Sequence, residues 1–470
     1  MSLRFGEGVS ETIRRRLEHA FRSFCFVYGF RPTREGDVRL VYGAAARDGE
    51  LALATGYTPR AGARRRTPPE PYRKAGLMAD GEPDAFPCFH PASGGGGPDW
   101  LGEIFEWLGG ESDRLAEAVD SVGRVAFSET LHGLHDLDPE VAWAGVAMRG
   151  LNQDIAAHAG PGWPDSPVAP AGVGSFAIVA THDLDFLPVS PPDTLARALK
   201  NAGIAAVAAR DPALVLQILA AIGRDAVRRR SPLDTLDAME ALERELGIRS
   251  ACFVICSRGH RRDANYTLPQ VRERLARLAA AGMEIGVHGS YTSLSVPGQL
   301  QREYEALREL GFPARGGRQH WLRYRNGELY DALSQAGAEY DCSAGYAHRI
   351  GFRGGACFPF VPWDFSAEAP YPIVEIPLVL MDVALYTQFR RAFTEAERRA
   401  RRLLRRASRY GWGGVSLVWH NTVFGGAQVP MPLGDLYWQL KEPDQRWTGG
   451  AELMDALAPR LTESGLTRAR

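Results

Sequence analysis

The stretch Ser175-Phe-Ala-Ile-Val-Ala-Thr-His-Asp-Leu-Asp185 decides how the rest of the chain is read. Phe176 to Ala180 is a run of small, apolar and β-favouring residues, long enough for one buried strand. Asp183 and Asp185 follow it, two positions apart. Side chains alternate faces along a strand, so both carboxylates point the same way at its carboxyl end. Two like charges side by side in a buried place need a cation or a proton to offset them. An Asp-x-Asp can also cap a helix or form a turn, and it is the segments downstream that favour a site.

Ile285-Gly-Val-His288-Gly-Ser-Tyr-Thr-Ser293 closes a second apolar strand, and Arg318-Gln-His-Trp-Leu-Arg323 a third. Tyr340-Asp-Cys-Ser343 closes a fourth, and Val415-Ser-Leu-Val-Trp-His420 a last one. Each sets an ionisable or polar group where a strand runs out, with helical segments between. The helices expected are 193–201, 212–230, Ser231 (N-cap) to about Leu246, Leu268–Ala281, Gln299–Leu310, Asn326–Ala336 and Thr394–Tyr410. Further strands are expected at Ala251–Ile255 and Ile373–Leu380. Alternation of this kind predicts an α/β fold with a parallel sheet under helices. Closure into a distorted (β/α)7-like barrel would bring the strand ends to one rim.

The 470 residues are 45% hydrophobic and 24% charged, which is the composition of an ordinary globular chain with room for two or three domains. A formal net charge of -1 speaks against a dedicated nucleic-acid or anionic-membrane surface. The six cysteines form no C-x-x-C pair and no secreted-type framework. The first residues lack the apolar core of a signal peptide, and no apolar run is long enough to span a bilayer. A cytoplasmic, reduced protein is expected; the oligomeric state is not legible.

Residues 1–157 read as a separate N-terminal α+β domain. It has a helix from Thr12 to Arg22 with a solvated basic face, strands at Phe24–Tyr28 and Val38–Tyr42, and a core helix carrying Trp100, Ile104 and Trp107. Arg64–Arg66 lie among prolines and read as a loop, and Gly94–Gly97 as a break. His132 and His135 lack a third ligand nearby, and no catalytic constellation is present in this half. Residues 158–174, with four prolines and four glycines, read as the linker, and residues 175–470 as the barrel.

Taken together, residues 175–425 resemble the polysaccharide deacetylase superfamily (NodB-like carbohydrate esterases), metal-dependent hydrolases that remove acetyl groups from sugars. That family has a distorted (β/α) barrel and five ordered motifs. Thr181-His-Asp-Leu-Asp185 resembles the first, which implies Asp183 as general base and Asp185 as metal ligand. His288 opens the second as a ligand, and Arg318 in the third positions the base. Asp341-Cys-Ser343 resembles the fourth and Leu417-Val-Trp-His420 the fifth, whose His420 is the acid, with Asp341 able to orient it. The N-terminal half resembles the accessory domain ahead of one bacterial branch. The second motif departs from the pattern, since Thr292 stands where a second ligand histidine is usual. His320, two residues after Arg318, shares its face on a strand and can supply the missing imidazole.

The resemblance implies a divalent metal, zinc first, and hydrolysis of an acetyl group, N-acetyl first, from a sugar or polysaccharide during bacterial glycan assembly. A backbone N–H near Cys342 would help stabilise the oxyanion. Tyr291, Trp321 and Trp363 are candidates to stack on sugar rings, and His348 and Arg349 lie in a loop open to substrate. His182, facing away from Asp183, reads as a core histidine. Two alternatives remain at this point: a metal-dependent hydrolase of non-sugar C–N bonds, and an inactive glycan-binding module. Retention of both Asp183 and His420 argues against the latter.

Overall fold

The computed structural model describes residues 1–59, 68–79, 81–93, 96–168, 176–189, 234–389, 392–425, 433–443 and 445–467, with a few positions between 199 and 223. The basic patch Arg64–Arg66, part of the 94–97 glycine run, the end of the 158–174 linker and the helices expected over 193–201 and 212–230 lie outside these residues in whole or part.

In the N-terminal region, β1 (Ser2–Phe5), β2 (Arg39–Tyr42) and β3 (Glu50–Leu53) form a parallel sheet, and β4 (Glu70–Tyr72) pairs antiparallel with β5 (Phe86–Cys88). The first helix runs from Glu11 to Tyr28, so Phe24–Tyr28 is helical rather than the strand expected. Its last turn is buried on every side, with Phe26 4.8 Å from Trp412 and Phe24 4.7 Å from Tyr28 between ring centroids. A helix apolar all round loses the periodicity that would have revealed it. Nor is its basic face wholly solvated: Arg16 is buried and paired with Glu368 at 2.5 Å.

The barrel starts with β6 (Phe176–Leu184), buried along its whole length. It continues with β7 (Ala251–Ile255), β8 (Glu284–Gly289), β9 (Gly316–Gln319) and β10 (Tyr340–Asp341). The hairpin β11 (Trp363–Asp364) and β12 (Ala369–Pro370) interrupts, and β13 (Val374–Glu375), β14 (Leu378–Met381), β15 (Gly413–Val418) and β16 (Arg446–Thr448) follow. The parallel sheet runs β13-β10-β9-β8-β7-β6-β15-β14, with β16 also on β6. Its two end strands are halves of one extended segment. Pro377, which has no N–H to donate, breaks the ladder between them. Before it Val374 and Glu375 pair with β10; after it Leu378 and Leu380 pair with β15. Among the described residues, seven staves thus curl round, with β16 an eighth strand on β6, into the distorted barrel that the sequence predicts.

Close approach decides some positions. A Cβ on Gly316 would meet the Tyr340 ring at 2.3 Å, and one on Gly450 at 2.2 Å. Both glycines leave room for that buried ring at the amino ends of the strands.

The helices expected over 268–281, 299–310, 326–336 and 394–410 are present. Of the helix expected from Ser231, residues 231–233 lie outside the described residues; the described helix runs Leu236–Leu246, and just before it Thr235 Oγ1 donates to the Asn421 carbonyl at 2.6 Å. On the helix Phe393–Tyr410 the arginine face is partly an interface: Arg399 and Arg402 pair with Glu140, and Arg406 with Glu82. One apolar core runs from the N-terminal region into the barrel, through contacts such as Phe105–Trp363 and Phe26–Trp412. No described helix is long and apolar enough to cross a membrane.

Candidate active site

Asp183 stands near the end of β6, buried, with Arg318 of β9 across the barrel mouth. Arg318 Nη1 donates to Asp183 Oδ1 at 2.7 Å and to Thr181 Oγ1 at 2.8 Å, while its Nε donates to the Cys342 carbonyl at 2.8 Å. Three fixed partners leave the guanidinium one orientation. Burial alone would raise the pKa of Asp183, but the Arg318 charge overrides it and holds the carboxyl below its ordinary value.

Asp185, two residues on, faces three imidazoles. Its Oδ1 lies 3.3 Å from His288 Nε2 and 3.5 Å from His320 Nε2, and its Oδ2 lies 3.6 Å from His420 Nε2. Against the cost of burial, His320 and His288 hold its carboxyl well below the usual range. His288 Nδ1 donates to the Arg318 carbonyl at 3.0 Å, so Nε2 is the nitrogen turned towards Asp185. The ligand atoms of Asp185, His288 and His320 lie within 4.8 Å of one another. Asp185 Oδ1 is buried and, among the described residues, has no hydrogen-bond partner. An orphaned carboxylate oxygen facing imidazole nitrogens is the donor set of a divalent cation.

His420, just beyond β15, is held by Asp382. The Asp382 carboxylate takes the ring Nδ1–H at 2.8 Å and the His420 backbone N–H at 2.8 Å. Burial would lower the His420 pKa, yet Asp382 and then Asp185 raise it to about 10. Sequence reasoning missed Asp382. It directly follows β14, so the strand-end rule that found the other groups would have found it too.

The role expected of Asp341 as the partner of His420 is corrected by this geometry. Asp341 accepts the Ser343 N–H at 2.7 Å and lies beside Glu375, a second buried carboxyl. Burial raises the pKa of both acids, and of Glu375 further because Asp341 is next to it. The backbone donor expected near Cys342 is likewise committed, since the Cys342 N–H goes to the Gly317 carbonyl at 2.9 Å.

The cleft over these residues has a volume of about 160 Å³ and is walled by Trp321, Leu322, Ala347, His348, Met381 and Val383 as well as by Arg124. Trp321 is 41% exposed at its edge. Trp363 is not in this cleft: it is buried among Phe105 and His19 where the N-terminal region meets the barrel. Tyr291 stands back from the wall, stacked on His260 at 4.4 Å, its hydroxyl donating to the Val122 carbonyl at 3.1 Å. Buried His182 is bonded on both sides, to the Trp419 carbonyl at 2.7 Å and to Glu243 at 2.8 Å, as a core histidine should be.

No family model matches the chain, and no curated protein matches it. Solved structures do resemble it. One, described as a polysaccharide deacetylase from Mycobacterium smegmatis, is 18% identical, covers 63% of this chain and 95% of its own, and has a TM-score of 0.39. The PuuE allantoinase is 14% identical over 64% of this chain and 95% of its own, with a TM-score of 0.37. A Bordetella bronchiseptica protein described as a polysaccharide deacetylase of O-antigen biosynthesis is 15% identical over 60% of this chain and 90% of its own, with a TM-score of 0.28. Overlaps this loose carry no chemistry from those proteins to this chain.

Proposed function

We propose that the chain is a metal-dependent hydrolase that removes an acetyl group, N-linked first, from a sugar or polysaccharide. One observation supports this above the others: a buried base (Asp183) and an imidazolium acid (His420) flank the three-ligand set Asp185, His288 and His320. A divalent cation held by those three, zinc first, would supply Lewis acidity to the carbonyl and lower the pKa of a water molecule.

The chain's own groups do the rest. Arg318 occupies Asp183 Oδ1 and keeps the carboxylate ionised, leaving Oδ2 to accept a proton from the attacking water. His420, protonated and fixed by Asp382, donates its Nε2 proton to the departing nitrogen. Arg318 and Asp382 are positioning residues in this scheme, and Trp321 offers an exposed ring at the mouth for a sugar face.

The apolar wall of Leu322, Ala347, Met381 and Val383 favours a second reading, in which the amide is not carried by a sugar. We further propose that residues 1–157 and 175–470 are two units joined by 158–174, working in the cytoplasm in bacterial glycan assembly; the free cysteines accord with a reducing compartment. The test is acetate release by zinc-loaded protein from a panel of N-acetylated sugars, beside ammonia or acid release from cyclic amides. Turnover of the sugars alone supports the first reading and of the cyclic amides alone the second. No turnover of either by protein with bound zinc sinks both.

A further inference from the structure

The turn from Val119 to Val125 belongs to the N-terminal region but sits on the barrel's rim. It is a tight hairpin, closed by a bridge between Val119 and Val125. Asp120 Oδ1 accepts the backbone N–H groups of Val122 and Arg124 at 2.9 and 3.1 Å. Gly123 adopts φ +88, and a Cβ there would meet Arg323 Nε at 2.7 Å, so the tip lies directly on the rim.

Three neighbouring strands reach it. Beyond β8, the Tyr291 hydroxyl donates to the Val122 carbonyl at 3.1 Å. Beyond β9, the Trp321 carbonyl receives Arg124 Nη1 at 3.5 Å, and beyond β10, His348 Nε2 receives Arg124 Nη2 at 2.6 Å. Arg124 Nε is fixed by Asp120 Oδ2 at 2.6 Å. The hairpin thus bridges the β8, β9 and β10 side of the mouth, and Arg124 and His348 form part of the cleft wall. Trp321 and Leu322 carry φ angles of 64 and 51, a conformation that non-glycine residues hold only where their surroundings enforce it. Arg124 is one such restraint.

Hydrolysis within a polymer needs a groove open on both sides of the reacting unit, because the chain continues in both directions. Here one side is stopped by a hairpin of the same protein. The cleft's volume of about 160 Å³ is also below the ~300–1,000 Å³ of pockets that enclose drug-sized ligands. We propose that this hairpin is an end stop, with Arg124 and His348 as specificity-determining residues, which confines the enzyme to an acylated amine on a terminal or single sugar unit. Arg124 Nη1 faces the cleft with only a long bond to the Trp321 carbonyl, for which a hydroxyl or carbonyl of that unit can compete. This rests on the deacetylase reading above.

The test uses the full-length zinc-loaded protein with linear β-1,4 N-acetylglucosamine oligomers of one to six units, measuring acetate and locating the deacetylated unit by tandem mass spectrometry. The wild type should remove one acetyl group, from a terminal unit, at a rate that does not rise with length. Arg124→Ala should admit internal units, raising the internal-to-terminal ratio about tenfold. Tyr291→Phe, which removes the hydroxyl that holds the hairpin at the Val122 carbonyl and that also accepts from Arg262, should move it the same way and covers the case in which Arg124→Ala does not fold. Wild-type deacetylation of internal units as readily as terminal ones overturns the end stop and leaves the deacetylase reading intact, as does a terminal-only pattern in both folded variants. No acetate from any oligomer or other acetylated sugar overturns that reading, and the end stop with it.

Discussion

Asp382 grips His420 twice, taking the ring Nδ1–H on one carboxylate oxygen and the backbone N–H of the same residue on the other, each at 2.8 Å. The double contact fixes the ring's tautomer and its orientation together, and turns Nε2 towards Asp185, 3.6 Å away. It also keeps the imidazole protonated in a place where burial would otherwise strip it.

In the proposed mechanism His420 must be protonated and Asp183 ionised. Activity is therefore lost as pH rises through the His420 pKa, about 10 in the chain without a cation, and as pH falls through that of Asp183. Asp382→Asn removes the main cause that raises His420, so the alkaline limb moves to lower pH. Asp341→Asn, which does not touch His420, leaves that limb in place. Rate–pH profiles of the two variants separate them, and equal shifts would refute the assignment.

Asp183→Asn should bind the cation and melt near the wild-type temperature while losing ~10²–10⁴-fold in hydrolysis, the usual contribution of a placed base. An amide cannot take a proton from water. Single-turnover assays beside zinc content measure both halves, and wild-type turnover in this variant would remove Asp183 from the mechanism.

His320→Ala, like Asp185→Ala and His288→Ala, should weaken zinc binding by more than the ~10–100-fold typical of losing an outer-shell partner. Thr292→Ala, at the position where the family resemblance implies a histidine, should change it little. Calorimetric titration of the four variants reads this directly; retained affinity in His320→Ala would leave the cation with two ligands.

Two buried histidines outside the cleft make stability depend on pH. Burial lowers His19 to about 4, against the Val361 carbonyl that its Nε2–H meets at 3.0 Å, and lowers His132 to about 3. Unfolded, each would titrate near 6.5. The unfolded chain thus binds more protons below that pH, and stability falls as pH drops from about 6.5 towards 4. His19 alone accounts for about 3 kcal/mol across that window. The melting temperature should decline over the same range, and less steeply in His19→Gln; an unchanged slope would dismiss the role of His19.

Much of the barrel was legible because its strands and helices carry local signals. The β6 segment is apolar and then acidic, and helices such as Gln299–Glu309 repeat their buried positions Leu300, Glu303, Tyr304 and Leu307 at helical spacing. Asp183, Asp185, His288, Arg318 and His420 could be nominated because parallel strands send their carboxyl ends to one rim. That inference needs only strand order and the two-residue alternation, whereas His320 entered only because the family resemblance left Thr292 in a ligand's place.

Which strand-end group pairs with which depends on distances between segments far apart in the chain. Hence Asp382 rather than Asp341 holds His420, and Trp363 lies in a core instead of at the mouth. Arg124 reaches the carbonyl of Trp321 across 197 positions of sequence and the ring of His348 across 224, so no local pattern could announce it. Local sequence determined the strands, the helices, and the acids and imidazoles at the strand ends. Only the packing of the barrel strands on one another, and of the N-terminal region against them, decided which of these groups meet. Side-chain pairing over such separations is set by tertiary contacts and leaves no periodic trace in the sequence.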